Sequence, residues 1–266
     1  MDIVKRALLE DGAFRDITSA IIPNDRKTGI FLAKQDLIVC GMEVARRAFR
    51  LVGVNFAARV RDGRAVKKGA VLATVRGPAR RLLAGERTAL NFVQQLSGVA
   101  TVTRRFADLA KPARIYDTRK TTPGMRELEK YAVRCGGGYN HRMGLNDGVM
   151  IKDNHIAALN DLDALREKVQ GFAAAGKAVV LEASSHEQAL LFATFPVKVL
   201  MLDNFTVSEL RRAVRAVRNL NPSVEIEASG GVNLKTVREI SRTGVDRISV
   251  GALTHSAPAA DISLEL

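Results

Sequence analysis

The spacing of hydrophobic positions changes near residue 100. Beyond it, short apolar runs alternate with stretches of helical period: "ARIYDT" (113–118), "DGVMIKD" (147–153), "AVVLEA" (178–183), "VKVLMLD" (197–203), "SVEIEA" (223–228) and "DRISVGA" (246–252). Four to seven apolar residues bounded by turn residues read as buried strands, and strands separated by helices pair in parallel. Ser184 with Glu187, and Thr206 with Glu209, have the spacing of capping boxes that open helices. Val207, Leu210, Val214, Val217 and Leu220 then recur at helical spacing and predict one buried face. The first hundred residues follow a period of two instead. "TGIFLAKQDLIVCG" (28–41) and "VRDGRAVKKGAVLATVRG" (60–77) alternate and turn at Asp62-Gly63 and Lys68-Gly69, as antiparallel strands do. Residues 86–110 read as a long helix broken near Gly98.

These patterns predict an α/β protein, with a β/α barrel-like domain of six to seven parallel strands and a smaller N-terminal α+β sandwich domain. The expected domains are 1–102, joined by the tail 255–266, and 103–254.

Composition narrows the function. With 266 residues and 47% hydrophobic residues, the chain is long enough for a sizeable core. No apolar run is long enough to span a membrane, and the start lacks the pattern of a secretory signal. Cys40 and Cys135 are too few for a disulfide framework or a cysteine zinc site, and each reads as a small buried residue. A cytoplasmic location is expected. The net charge of +13 favours anionic partners. Nucleic acid fits poorly, because tryptophan is absent, aromatics are 5%, and the basic residues are scattered rather than striped.

Polar residues recur where the predicted strands end: Arg119 and Lys120, Lys152, Glu182, Asp203, Ser229 with Gly230 and Gly231, and Gly251. In β/α barrels the carboxyl ends of the strands carry the chemistry. The loops at 229–231 and 251 suit a phosphate, because glycine lets backbone N–H groups approach an oxyanion. Residues 117–144 gather Arg119, Lys120, Arg126, Lys130, Arg134, His141 and Arg142 around a glycine triplet. Arg126, Lys130 and Arg134 fall at i, i+4 and i+8 and fit a solvated helix face. Arg119, Lys120, His141 and Arg142 flank that helix, and clustered cations there call for a bound multi-anion. Glu182 and Asp203 would hold a ribose or a magnesium ion, or act as acid and base. His155 reads as a supporting residue behind Lys152, and His186 as a surface residue.

The stretch "DTRKTTPGMRELEKYAVRCGGGYNHRMGLNDGVMIKDNH" resembles the signature of the quinolinate phosphoribosyltransferase family. The likeness continues through "GERTALNFVQQLSG", "MLDNF", "ASGGV" and "VGALTHSAP" and covers nearly the whole chain. It implies phosphoribosyl transfer from phosphoribosyl pyrophosphate to quinolinate with decarboxylation, giving nicotinate mononucleotide, pyrophosphate and CO2, with Mg2+ as cofactor. By the same resemblance, Arg119, His141 and Arg142 hold the quinolinate carboxylates, and Arg87 reaches that ligand from a second subunit of a homodimer. Lys120 and Lys152 contact the phosphoribosyl donor, Glu182 and Asp203 hold ribose hydroxyls or Mg2+, and Ser229, Gly230, Gly231 and Gly251 hold the 5′-phosphate. Lys120, Lys152, Glu182 and Asp203 are the implied catalytic set.

Three positions depart from the family's usual pattern. Arg15 stands where glycine is common, Val180 leaves Glu182 as the one carboxylate of a frequent Glu-x-Glu ending, and Gln95 replaces a frequent arginine. A related molybdenum-associated family shares a shorter form of the central motif and acts on a different acid; it is the alternative. A Schiff-base aldolase built on Lys152 and a lipoyl-like carrier built on residues 62–75 leave the clustered arginines unexplained.

Overall fold

The structure, a computed structural model, describes residues 2–266 and comprises two compact units. Unit one contains the chain up to Arg104, Thr121–Gly137 and Leu253–Leu266; unit two contains Arg105–Lys120 and Gly138–Ala252. In chain order the strands are β1 (Arg26–Ala33), β2 (Leu37–Ile38), β3 (Asn55–Ala58), β4 (Ala65–Val66), β5 (Val71–Pro78) and β6 (Arg114–Tyr116). They continue with β7 (Val149–Ile151), β8 (Val179–Ala183), β9 (Val199–Asp203), β10 (Glu225–Ser229), β11 (Arg247–Ser249) and β12 (Ile262–Glu265).

Unit one is built on an antiparallel sheet of order β12-β1-β5-β3, with β2 and β4 paired separately. Period-two alternation turns Gly29, Phe31 and Ala33 of β1 inward. Phe31 packs edge-on against Phe49 and Phe56, with ring centroids 5.9 and 5.7 Å away. Each such aromatic pair adds about 0.5–1.5 kcal/mol beyond the burial of its area. Gly63 and Gly69 make the expected turns at φ +84° and +88°, where a side chain would be strained.

Two helices of this unit differ from expectation. Residues 79–109 form one continuous helix with no break at Gly98. A Cβ at Gly98 would lie 2.1 Å from the Pro258 carbonyl oxygen, so the glycine serves a close chain approach. The helix Arg126–Cys135 forms, but it is not a solvated cationic face. Lys130 is 1% exposed and Glu129 is fully buried; only Arg134 of the three cations is exposed. One reason for the burial is that Glu129 reaches back to accept from the Thr122 N–H at 3.0 Å, tying the preceding loop to the helix.

Unit two is a parallel sheet of six strands, one for each apolar run, in the order β6-β11-β10-β9-β8-β7. Tyr139 adds one bridged residue beside β6. The Thr206–Glu209 box caps the helix Val207–Leu220 in both directions. The buried face of that helix carries Leu210, Ala213, Val214 and Val217, while Val207 is only half-buried and Leu220 is 57% exposed. The cap of the helix His186–Phe192 is one residue later than predicted. Ser185 accepts from the Gln188 N–H, and the Gln188 side chain accepts from the Ser184 N–H at 2.9 Å.

Gly98→Ala should destabilise the protein by about 1–3 kcal/mol, because overpacking outweighs the gain in helix propensity. Urea denaturation followed by circular dichroism measures this, and a stabilised variant would refute the close approach.

Candidate active site

Alternation along β10 explains how charge enters the sheet. Ile226 and Ala228 point into the apolar core, so Glu225, Glu227 and Ser229 share the opposite face. The register sets Arg247 beside Glu227 on one flank and Met201 on the other, with Arg114 beside Arg247 and Asp203 beside Ser229.

Glu227 is fully buried, and its carboxylate lies 2.6 Å from Nε2 of His141, whose side chain is 8% exposed. Asp117, also fully buried, accepts from the His141 backbone N–H at 2.8 Å and from Nδ2 of Asn140 at 2.6 Å. The His141 loop is thereby held from both its backbone and its ring. On the other side, Arg247 is ion-paired with Glu225, approaches Glu227 at 4.0 Å, and lies over the Tyr116 ring at 4.6 Å. Arg114 donates to Glu225 at 3.1 Å. Burial would raise the Glu225 carboxyl, but the Arg114 hydrogen bond and the Arg247 charge outweigh it and hold it below its ordinary 4.5.

Beyond this layer, Arg142 is a cation whose charge is disfavoured. Burial and the charge of Arg119 lower the pKa of Arg142. Its Nη1 donates to the Gly148 carbonyl at 3.2 Å, while its Nε is buried without a hydrogen-bond partner. Arg119 and Lys120 are exposed in the loop after β6, where the Thr118 hydroxyl accepts from the Lys120 N–H at 3.0 Å. On the far side of the sheet Lys152 is ion-paired with Glu182, whose carboxylate is nearly inaccessible. The His155 ring accepts from the Lys152 N–H at 3.1 Å, which is the supporting place expected for it. His186, read as a surface residue, is half-buried.

Asp203 ends β9 and accepts from Nδ2 of Asn204 at 2.7 Å; the Asn204 N–H in turn donates to the Ser229 carbonyl at 2.9 Å. Gly230 has φ +90°, and a Cβ there would lie 2.1 Å from Oδ1 of Asn204. Gly231, at φ +61°, faces open space and is exposed. Gly251 directly precedes the short helix Ala252–His255. Thus Arg119 and Arg142, Lys152 and Glu182, and Asp203 with the 229–231 loop are brought together as three groups within unit two. Arg87 is exposed on the long helix of unit one.

The family described as quinolinate phosphoribosyl transferase matches in two parts, its N-terminal domain over residues 16–97 and its C-terminal domain over residues 99–265. The chain belongs to the quinolinate phosphoribosyltransferase family. It is 42% identical to the nicotinate-nucleotide pyrophosphorylase [carboxylating] of Mycobacterium leprae, over 100% of this chain and 96% of that protein. It is 39% identical to the probable nicotinate-nucleotide pyrophosphorylase [carboxylating] of Bacillus subtilis, over 99% and 92%. Among solved structures it resembles NadC from Streptococcus pyogenes with a TM-score of 0.91 at 35% identity, over 99% of this chain and 94% of that one. The nicotinate-nucleotide pyrophosphorylase of Ehrlichia chaffeensis gives 0.92 at 35% identity, over 99% and 97%.

In this phosphoribosyltransferase-family chain, the residues that reading the sequence missed are Glu227, Glu225, Arg247, Tyr116 and Asp117. The signal was present in "VEIEAS", where two glutamates alternate with apolar residues inside a buried strand. Two measurements test the layer they form. Glu227→Ala should cost about 3–5 kcal/mol, since removing one member of a buried ionic group leaves the others uncompensated. Glu225 contributes stability above its ordinary 4.5 that is lost as pH falls through its lower folded value, so Glu225→Gln should flatten the acid limb of the stability–pH curve.

Proposed function

We propose that this protein transfers the phosphoribosyl group from phosphoribosyl pyrophosphate to quinolinate and releases pyrophosphate and CO2, forming nicotinate mononucleotide for NAD biosynthesis. The reading rests on Arg119 and Arg142, two guanidinium groups close enough to lower the pKa of one; Arg119 lies in the exposed loop after β6, and Arg142 in the partly buried loop held by the Asp117 and Glu227 carboxylates. Such a pair is relieved by an anion, and a guanidinium binds carboxylates in a two-pronged geometry. Quinolinate supplies two carboxylates, which Arg119, Arg142 and His141 would share.

Lys120 and Lys152 would take the donor's phosphates, and the 229–231 loop with Gly251 its 5′-phosphate. Glu182, already paired with Lys152, and Asp203 are the acceptors for ribose hydroxyls. Positive charge grows on the ribose carbon as pyrophosphate departs, and the quinolinate nitrogen then bonds to it. Alignment of the two reactants alone contributes about 7–11 kcal/mol. The resulting pyridinium withdraws electrons, and the adjacent carboxylate leaves as CO2; the bonding pair stays on the ring carbon, which takes a proton from water.

Glu182 and Asp203 fit a magnesium ion that arrives with the donor. Among the described residues there is no group of three metal-ligating side chains, whereas Mg2+ commonly binds through one or two carboxylates plus substrate phosphates while keeping several waters. When bound it would neutralise the departing pyrophosphate.

The working assembly in this reading is a homodimer in which Arg87 serves the partner's quinolinate. Arg87 is exposed, and unit one also exposes Leu9, Phe14, Ile17 and Ile21 at 52%, 53%, 88% and 81%. Four large exposed apolar side chains within thirteen residues fit a surface that another chain covers. A cytoplasmic site of action fits two free cysteines. Among the described residues, no helix is long and apolar enough to cross a membrane.

Purified protein given quinolinate, phosphoribosyl pyrophosphate and Mg2+ should form nicotinate mononucleotide with equimolar CO2, each dependent on all three additions; a folded protein that forms neither would refute the reading. Arg142→Ala should weaken quinolinate binding by roughly 10- to 150-fold, the equivalent of one charge-assisted hydrogen bond. Mixing the inactive Arg87→Ala and Arg119→Ala proteins should restore roughly a quarter of wild-type activity if the site is shared across a two-fold dimer. No recovery after subunit exchange would place Arg87 outside it.

A further inference from the structure

The only two cysteines of the chain lie far apart in sequence, yet unit one brings them together. Cys40 is fully buried, between β2 and the helix Met42–Leu51. Its backbone is pinned on both sides, since the Ser97 hydroxyl accepts from the Cys40 N–H at 3.0 Å and donates to the Cys40 carbonyl at 3.1 Å. Cys135 is the last residue of the helix Arg126–Cys135 and is half-exposed. The two chain segments meet through Gly63, whose N–H donates to the Val39 carbonyl at 2.8 Å and where a Cβ would lie 3.9 Å from Cα of Cys135. The thiols themselves are in hydrogen-bond contact.

We propose that Cys40 and Cys135 form a peroxide-reactive dithiol, in which Cys135 is the attacking sulfur and Cys40 the resolving one, closing to an intramolecular disulfide. A buried thiol and a half-buried one have no packing need to touch, and small apolar residues would fill the same space. Their surroundings also divide the roles. The Cys40 thiol donates to Cys135, and the Tyr131 hydroxyl is within reach of both Cys135 and Asp62, the latter at 3.1 Å. The hydrogen bond from Cys40, the Tyr131 hydroxyl and the charge of Arg134 lower the pKa of Cys135 against its burial. Cys135, followed by burial, pushes the Cys40 thiol strongly up, so Cys40 stays protonated until its partner has reacted. A half-buried thiol with a lowered pKa beside a fully buried one is the arrangement of a sensor cysteine with its resolving partner.

The chemistry balances with hydrogen peroxide as oxidant. The Cys135 thiolate attacks one peroxide oxygen, the O–O bond breaks, and hydroxide leaves and is protonated to water. Cys135 is then a sulfenic acid. The Cys40 sulfur attacks the Cys135 sulfur and gives up its proton, the S–O bond breaks, and a second water leaves. Two thiols lose two electrons in all, and one peroxide becomes two waters. The link spares Cys135 from irreversible over-oxidation.

The test treats the full-length protein with near-stoichiometric hydrogen peroxide, alkylates the remaining thiols, and maps non-reduced peptides by mass spectrometry. The expected result is a Cys40–Cys135 cross-linked peptide within one chain, reversed by dithiothreitol. Cys40→Ser should instead accumulate a sulfenic acid at Cys135 that dimedone traps. In Cys135→Ser, the Cys40 thiol should be lost at least about tenfold more slowly than in wild type. Wild-type protein in which Cys135 is oxidised while Cys40 remains alkylatable, or in which links form only between chains, would overturn the proposal.

Discussion

The fully buried carboxylate of Glu227 is the constraint on which the functional unit rests. A charge without water must be met on every side, or the unit does not fold around it. The His141 ring meets one oxygen at 2.6 Å, and Arg247, ion-paired with Glu225, approaches the other at 4.0 Å without hydrogen-bonding to it. These partners come from β10, β11 and the loop after Tyr139, so one carboxylate ties together three segments that share little sequence. The aromatic rings of Tyr116 and Tyr139 stack at 5.4 Å beside this layer, and Arg247 lies over the first of them. Packing and charge compensation therefore act on the same residues.

That layer fixes the loops above it, in which Arg142 lies near the charges of both Arg119 and Asp147. His141 and Arg142 are consecutive, and the first is locked by Asp117 and Glu227, so the second is delivered beside Arg119 despite their repulsion. The cost is an arginine whose charge is disfavoured and whose Nε is buried without a partner. In the proposed function, an acid with two carboxylates would relieve this cost. Lys152 and Asp203 are arranged differently. Lys152 is already paired with Glu182, and Asp203 with Asn204, so those groups are pre-oriented rather than strained.

Unit one shows the same use of backbone exceptions and buried charge. The missing side chain at Gly98 lets the Pro258 carbonyl approach the long helix. Glu129 turns into the unit to hold the loop ahead of its own helix, and Arg126 donates to the Thr121 hydroxyl at 3.0 Å. That loop directly follows Arg119 and Lys120 in the chain.

The sequence by itself determined the order and type of the elements. Six apolar runs became six parallel strands, two alternating segments became antiparallel ones, and the Thr206–Glu209 cap formed as written, because these depend on local period and local hydrogen bonds. The long central motif and the strand-end residues were enough to point to the family. What only the tertiary structure decided are the features that depend on a neighbour distant in the chain. Gly98 reads as a break until Pro258 is placed against it, and Lys130 reads as solvated until its helix is packed. Ser185 rather than Ser184 caps its helix, because the choice between adjacent serines rests on where the preceding strand releases the chain. Glu227 and Arg247 look like interruptions of buried strands until the register of β10 and β11 sets them side by side. Periodicity carries the first kind of information along the chain, whereas charge compensation and close contact exist only between segments that folding has brought together.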